Sequence, residues 1–157
     1  MRNYLVIISS FLIAFILAIL PVPEWLGWVR PVWVLMVLIY WIAELPYYIN
    51  IGLAWVIGIV MDVLNGSMLG EHALAYVIIA YAVIKISHQF RMYPILQQSL
   101  SILIFVLLYQ CIIYFLQAFV GELPQSSWYW LAPVSSMLFW PWVMVILHDY
   151  RHRLRMV

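Results

Sequence analysis

The feature that most constrains this chain is its division into continuous apolar runs, broken only by short polar or proline-bearing connections. The runs cover approximately residues 5–20, 32–45, 51–64, 69–86, 94–120 and 130–147. A transmembrane helix takes about 20 apolar residues, because it must cross roughly 30 Å of hydrocarbon. Unbroken runs favour helices over the alternating strands of an outer-membrane barrel. The pattern therefore predicts an all-α membrane protein: six transmembrane helices in a single integral membrane domain, residues 1–157. Pro21 and Pro23 end the first run, since proline cannot continue a helix ladder. The third run is short for a full crossing. Pro133 and Pro141 should bend the sixth or fall near its ends. The connections, 21–31, 44–50, 65–67, 87–93 and 121–128, contain no repeat, linker or low-complexity segment.

Composition removes the alternatives. Of the 157 residues 68% are hydrophobic and only 8% are charged, against about 25% charged in an ordinary soluble domain. A soluble core cannot hide that much apolar surface, and so few charges cannot cover it. Disorder needs the opposite composition. The net charge of +1 points to neither nucleic acid nor an acidic partner. Cys111 is the sole cysteine, so no intrachain disulfide forms; it reads as a small apolar residue, buried or facing lipid. Arg2 before an apolar run imitates a signal peptide. The run is not followed by a small-residue cleavage pattern, so it reads as a retained anchor helix.

Positive charges near span ends favour the cytoplasm. With six spans, Arg2, Lys85, Arg91, Arg151, Arg153 and Arg155 share one side and Arg30 alone takes the other, which puts both termini in the cytoplasm. Trp25, Trp28, Trp128, Tyr129 and Trp130 gather in the two opposite-side loops with Glu24 and Glu122, at the depth where amphipathic rings settle.

Two sets of small residues suggest close helix packing, inside the fold or against a partner. Ser10, Ala14 and Ala18 recur every fourth residue, and Ala54 and Gly58 repeat that spacing. Gly66 and Gly70 are spaced in the same way, so this region predicts two short helices, deeply packed, around a break near residues 65–67.

Asp62 is the most suggestive single residue, because an ionisable group in or near a membrane is expensive and faces protein, water or a partner. Three readings stay open: a cap-like acceptor for the following loop, a structural hinge, or a ligand or proton site. Glu71 suits the first turn of a helix. A metal held by Asp62, Glu71 and His72 lacks a metal-binding spacing. His148 and His152 lie one turn apart, but Asp149 follows the first where a metalloprotease pattern needs Glu. They read as an interfacial helix end, where Arg151, Arg153 and Arg155 set topology or touch anionic lipid. Lys85 reads as snorkelling to the surface, with Glu44 pairing with it or facing water. Neither a Gly-x-Ser-x-Gly serine nor a phosphate-binding glycine loop occurs. These residues imply no enzyme, no cofactor and no metal.

The ordered motifs resemble a known family. Arg30-Pro31-Val32-Trp33, running on to Tyr40-Trp41 and Leu45-Pro46, resembles the second span of MreD, the rod shape-determining membrane protein of bacteria. Gly58-x-x-x-Asp62-Val63-Leu64-Asn65-Gly66-Ser67-Met68-Leu69-Gly70 resembles that family's junction between spans three and four, and Trp140-Pro141-Trp142 its last span. Val32 departs from the polar residue that often follows that proline. The resemblance implies a cytoplasmic (inner) membrane scaffold of the elongation machinery. It implies association with MreC, which links the MreB filament to the RodA–PBP2 peptidoglycan synthase pair. The implied fold is similar to the substrate-binding component of energy-coupling-factor transporters. Two functions follow as expectations: a scaffold that works by packing, or a small-molecule-binding or transport subunit with a polar site around Asp62.

Overall fold

The structure, a computed structural model, describes residues 2–153, with side chains from residue 3. Arg155 and the side chain of Arg2, both counted above in the basic end, lie outside what is described. The chain forms α1 (Arg2–Ile19), α2 (Glu24–Gly27), α3 (Trp33–Glu44), α4 (Ile51–Asn65), α5 (Glu71–Met92), α6 (Ile95–Val120) and α7 (Ala132–Arg153). A 3-10 turn, Ser127–Leu131, leads into α7.

The shortest of the long apolar segments sits at the centre. In α3 every residue from Val34 to Ala43 is buried. Its 12 residues span only about 18 Å at the helical rise, too little to cross a bilayer in contact with lipid. Burial all round a helix is the mark of a core element, and α1, α5 and α7 wrap this one. α5 in turn packs on α4 and α6, and α6 packs on α7. The outward faces are greasy: Leu5, Ile8, Leu12 and Ile16 on α1, Leu96, Ile104 and Phe119 on α6, and Leu138, Trp142 and Val145 on α7 are all exposed. Three helical stretches, Glu71–Met92, Ile95–Val120 and Ser127–Arg153, are long and apolar enough to cross a membrane; Asn3–Ile19, Trp33–Glu44 and Ile51–Asn65 are shorter apolar helices.

Helix ends are set by local chemistry. Asn50 caps α4, its side chain accepting from the Leu53 amide at 3.2 Å, as asparagine does at this position. α4 stops at Gly66, whose φ of 64° is left-handed. The Ser67 amide reaches back to the Asp62 carbonyl at 3.1 Å and the Gly66 amide to the Val63 carbonyl at 3.4 Å, a Schellman closure. α5 ends at Tyr93, which is extended because proline at 94 excludes the helical region before it. Gln98 then donates to the Phe90 and Tyr93 carbonyls, both at 3.2 Å, satisfying groups that the end of α5 leaves free.

Several expectations are corrected. The element after the Asn65–Ser67 break is no short helix: α5 runs for 22 residues and absorbs most of the 87–93 connection, because the first helix-excluding residue is Pro94. α7 continues beyond Leu147 to Arg153. Pro133 falls in its first turn, where a missing amide costs little, and Pro141 lies in its interior. Gly66 and Gly70 do not form a close-packing stripe. A Cβ at either would meet nothing within 4 Å, and their φ values of +64° and +103° show that they serve the turn.

Gly58 does pack. A Cβ there would stand 2.3 Å from Ala73 Cα and 2.6 Å from Ala73 N, so α4 and α5 cross with their backbones nearly touching. Even Gly58→Ala should therefore cost about 1–3 kcal/mol as an overpacking change. Ala118→Leu, on the exposed side of α6, should stay within about 0.5 kcal/mol of the parent. Thermal unfolding in one detergent compares them, and equal midpoints would contradict the crossing.

Candidate functional site

The crossing at Gly58 brings the end of α4 against the start of α5, and Asp62 lies between them with no exposed surface. Its carboxylate takes donors from the turn and from the first residues of α5. Ser67 Oγ donates to Oδ1 at 3.1 Å and the Gly70 amide to Oδ2 at 2.8 Å. The His72 amide and His72 Nδ1 each reach Oδ1 at 2.8 Å. An ionised carboxylate only accepts, so the network assigns the proton to His72 Nδ1 and leaves Nε2 to accept from Asn65 Nδ2 at 3.5 Å. The left-handed Gly70 turns its own amide inward as a donor, which a residue held to ordinary φ would not do without strain.

The neighbouring acid is braced too. Glu71, nearly buried, accepts from Gln117 Nε2 at 2.8 Å and so ties α5 to the far end of α6. An aromatic cluster continues inward: the His72 ring lies 6.3 Å from Tyr76 and 6.1 Å from Tyr109, and those two tyrosines lie 5.8 Å apart. Gln110, beside Tyr109, donates to the Tyr129 carbonyl at 3.0 Å and anchors the 3-10 turn.

Serine, histidine and aspartate meet here, yet the arrangement is not a nucleophilic triad. Ser67 and Asp62 face the same imidazole nitrogen, at 3.4 and 2.8 Å. A relay needs the nucleophile on one nitrogen and the orienting acid on the other. The Ser67 proton is also directed at Asp62. Among the described residues no three His, Cys, Asp or Glu side chains converge as a metal site. What this chemistry accomplishes is the locking of a tight interhelical junction.

The profile of the family described as rod shape-determining protein MreD matches residues 1–150. The chain belongs to the MreD family. A rod shape-determining protein MreD from Haemophilus influenzae is 30% identical over 157 residues, covering 98% of this chain and 95% of that one. No solved structure matches the chain. Membership in MreD places it among membrane proteins with a role in cell shape.

The other candidate residues of this MreD chain fall in distinct places. Ser10 and Ala14 are buried and Ala18 packs at the edge of the core. Trp41 Nε1 donates to Ser10 Oγ at 2.8 Å, so the small-residue stripe of α1 receives α3 of its own fold. Ala54 is fully buried beside Gly58. Arg30 donates to the Leu17 carbonyl, placing a cation at the C-terminal end of α1 where the helix dipole is negative. Pro31 leads into α3, and the Val32 amide, at the position that departs from the family pattern, donates to Ser136 Oγ of α7 at 3.1 Å. Glu44 pairs with Arg151 and not with Lys85; Lys85 Nζ instead lies 4.7 Å over the Tyr81 ring. His148 and His152 stack edge to face, 4.6 Å between centroids.

Sequence reasoning did not foresee the contacts that lock α7. Tyr150 shares a 2.9 Å hydrogen bond with Ser9, and Trp140 Nε1 donates to Gln98 at 3.4 Å. A polar residue inside an apolar run, as at Gln98 and Gln110, was the available signal. Removing the junction's acceptor should show which link matters most. Asp62→Ala strands two amides, each worth about 1–3 kcal/mol when left unpaired and buried. Gly66→Ala adds only the strain of a left-handed alanine, about 1 kcal/mol. Asp62→Ala should lower the unfolding midpoint further than Gly66→Ala and speed proteolysis within residues 65–70. An unchanged midpoint would contradict the junction's role.

Proposed function

We propose that this chain is a non-catalytic scaffold of the cell-elongation machinery in the cytoplasmic (inner) membrane. Its six apolar helices cross, or dip deeply into, the bilayer with both termini cytoplasmic, in an arrangement similar to the substrate-binding component of energy-coupling-factor transporters. It binds MreC, and with MreC connects MreB filaments to peptidoglycan synthesis by RodA and PBP2. The observation that carries this reading is the engagement of Asp62 by four donors of its own chain. A carboxylate so occupied braces helices and is not left free to bind a substrate.

In lipid, helices associate through close contacts and interhelical hydrogen bonds, because burial from water is not available as a driving force. The structure uses its small residues on α1 and α4 internally. The partner's span is therefore received by the exposed apolar faces, such as the Leu5, Ile8, Leu12 and Ile16 side of α1.

The test is co-expression with the cognate MreC and purification in detergent. The expected result is a stoichiometric complex that withstands salt. At matched expression Gly58→Leu should recover less MreC than Ala118→Leu. Equal recovery would contradict a packing-based scaffold. A well-folded chain that forms no complex would overturn the reading and favour a ligand-binding subunit.

A further inference from the structure

At the end of the bundle that carries α2 and the 3-10 turn lies a cavity of about 440 Å³, lined by Glu24, Trp25, Trp28, Val29, Trp128 and Leu131. Two connections far apart in sequence build it. α2 supplies Glu24 and Trp25, the residues just after it supply Trp28 and Val29, and the 3-10 turn supplies Trp128 and Leu131. Three tryptophans and one glutamate lining a common space is a combination with a specific chemistry. The negative face of an indole attracts a cation more strongly than any other aromatic ring, and a carboxylate adds full charge.

Among the described residues none supplies that cation. No Lys or Arg lines the cavity. The ion pairs among the described residues, His72–Asp62, Arg151–Glu44 and Arg153–Asp149, do not involve Glu24. Arg30, the cation of the same connection, donates to the Leu17 carbonyl and lines a different cavity, with Gly27, Pro31 and Asn65.

We propose that this cavity binds the ammonium of a phosphatidylethanolamine headgroup. The connection from residue 22 to residue 29 offers both the polar and the apolar part of such a site. Glu24 and the indoles suit the ammonium, and the exposed Val22, Leu26 and Val29 suit the acyl chains. A lysine from a partner protein would supply the ammonium without using the apolar rim. The proposal rests on the membrane placement of the bundle.

Native mass spectrometry of the full chain, offered equal phosphatidylethanolamine and phosphatidylglycerol, tests it. The wild type should retain phosphatidylethanolamine preferentially. Trp128→Ala and Glu24→Gln should each reduce that occupancy about two- to five-fold, the range expected of an exposed cation–π contact, with phosphatidylglycerol occupancy unchanged. Trp142→Ala, at an exposed tryptophan that does not line the cavity, should have no effect. Helical circular dichroism and monodisperse elution confirm that each variant folds. Equal retention of the two lipids, or retention indifferent to both cavity substitutions, would overturn the proposal. So would phosphoethanolamine without acyl chains binding as well as the lipid. A wild-type chain that will not enter nanodiscs at all would count against the membrane placement instead.

Discussion

A carboxylate shut away from solvent must find its donors inside the protein, and the structure around α4 and α5 follows from how Asp62 finds them. The donors come from a turn only a few residues long, so the turn must be tight. Gly66 and Gly70 make it tight by adopting left-handed backbone, and their amides are used on the Val63 carbonyl and the Asp62 carboxylate. With α5 held at its first turn, Ala73 meets Gly58 at a separation that admits no side chain. His72 is then oriented by its own bond to Asp62 and turns its ring toward Tyr76 and Tyr109. One acceptor thus sets the turn, the helix crossing and the approach to the aromatic interior.

The same economy explains how so short a helix as α3 can be central. A helix too short to span a bilayer is tolerable where protein surrounds it and its backbone groups bond internally. Its ends are met by side chains from other helices: Ser136 takes the Val32 amide, and Arg151 pairs with Glu44. Gln98, Gln110 and Gln117 likewise bond across elements. Inward polarity therefore determines the fold, while the outward faces of α1, α6 and α7 stay apolar. That division suits the scaffold role proposed above.

Much of this was legible in the residues. Continuous apolar runs marked the helices, and the spacing of Ala54 and Gly58 marked a close crossing, because helical period and small side chains are local properties. The Gly66 and Gly70 pair misled for the same reason. Spacing cannot distinguish a glycine chosen for its missing Cβ from one chosen for its φ, and the left-handed turn appears only when backbone bonds to Asp62 and Val63 are visible. The end of α5 lies beyond the expected residue 86 because the polar residues from Ser87 to Arg91 interrupt the apolar run, although only Pro94 forbids helix. The Glu44–Arg151 pair joins residues 107 positions apart, which no local pattern reveals.

The central claim is that Asp62 works as a hydrogen-bond acceptor that assembles helices, and not as a titrating or ligand-binding charge. Rod-shape rescue of an MreD-deficient bacterium by Asp62→Asn, compared with Asp62→Ala at matched membrane levels, tests it most directly. The amide keeps an acceptor oxygen for the His72 amide and Ser67, removes the charge, and leaves only the Gly70 amide without its acceptor, since an NH2 group replaces Oδ2. The account predicts that asparagine, which strands one amide, supports more rod-shaped growth than alanine, which strands two. Loss of rod shape in a folded, normally abundant Asp62→Asn protein would contradict it.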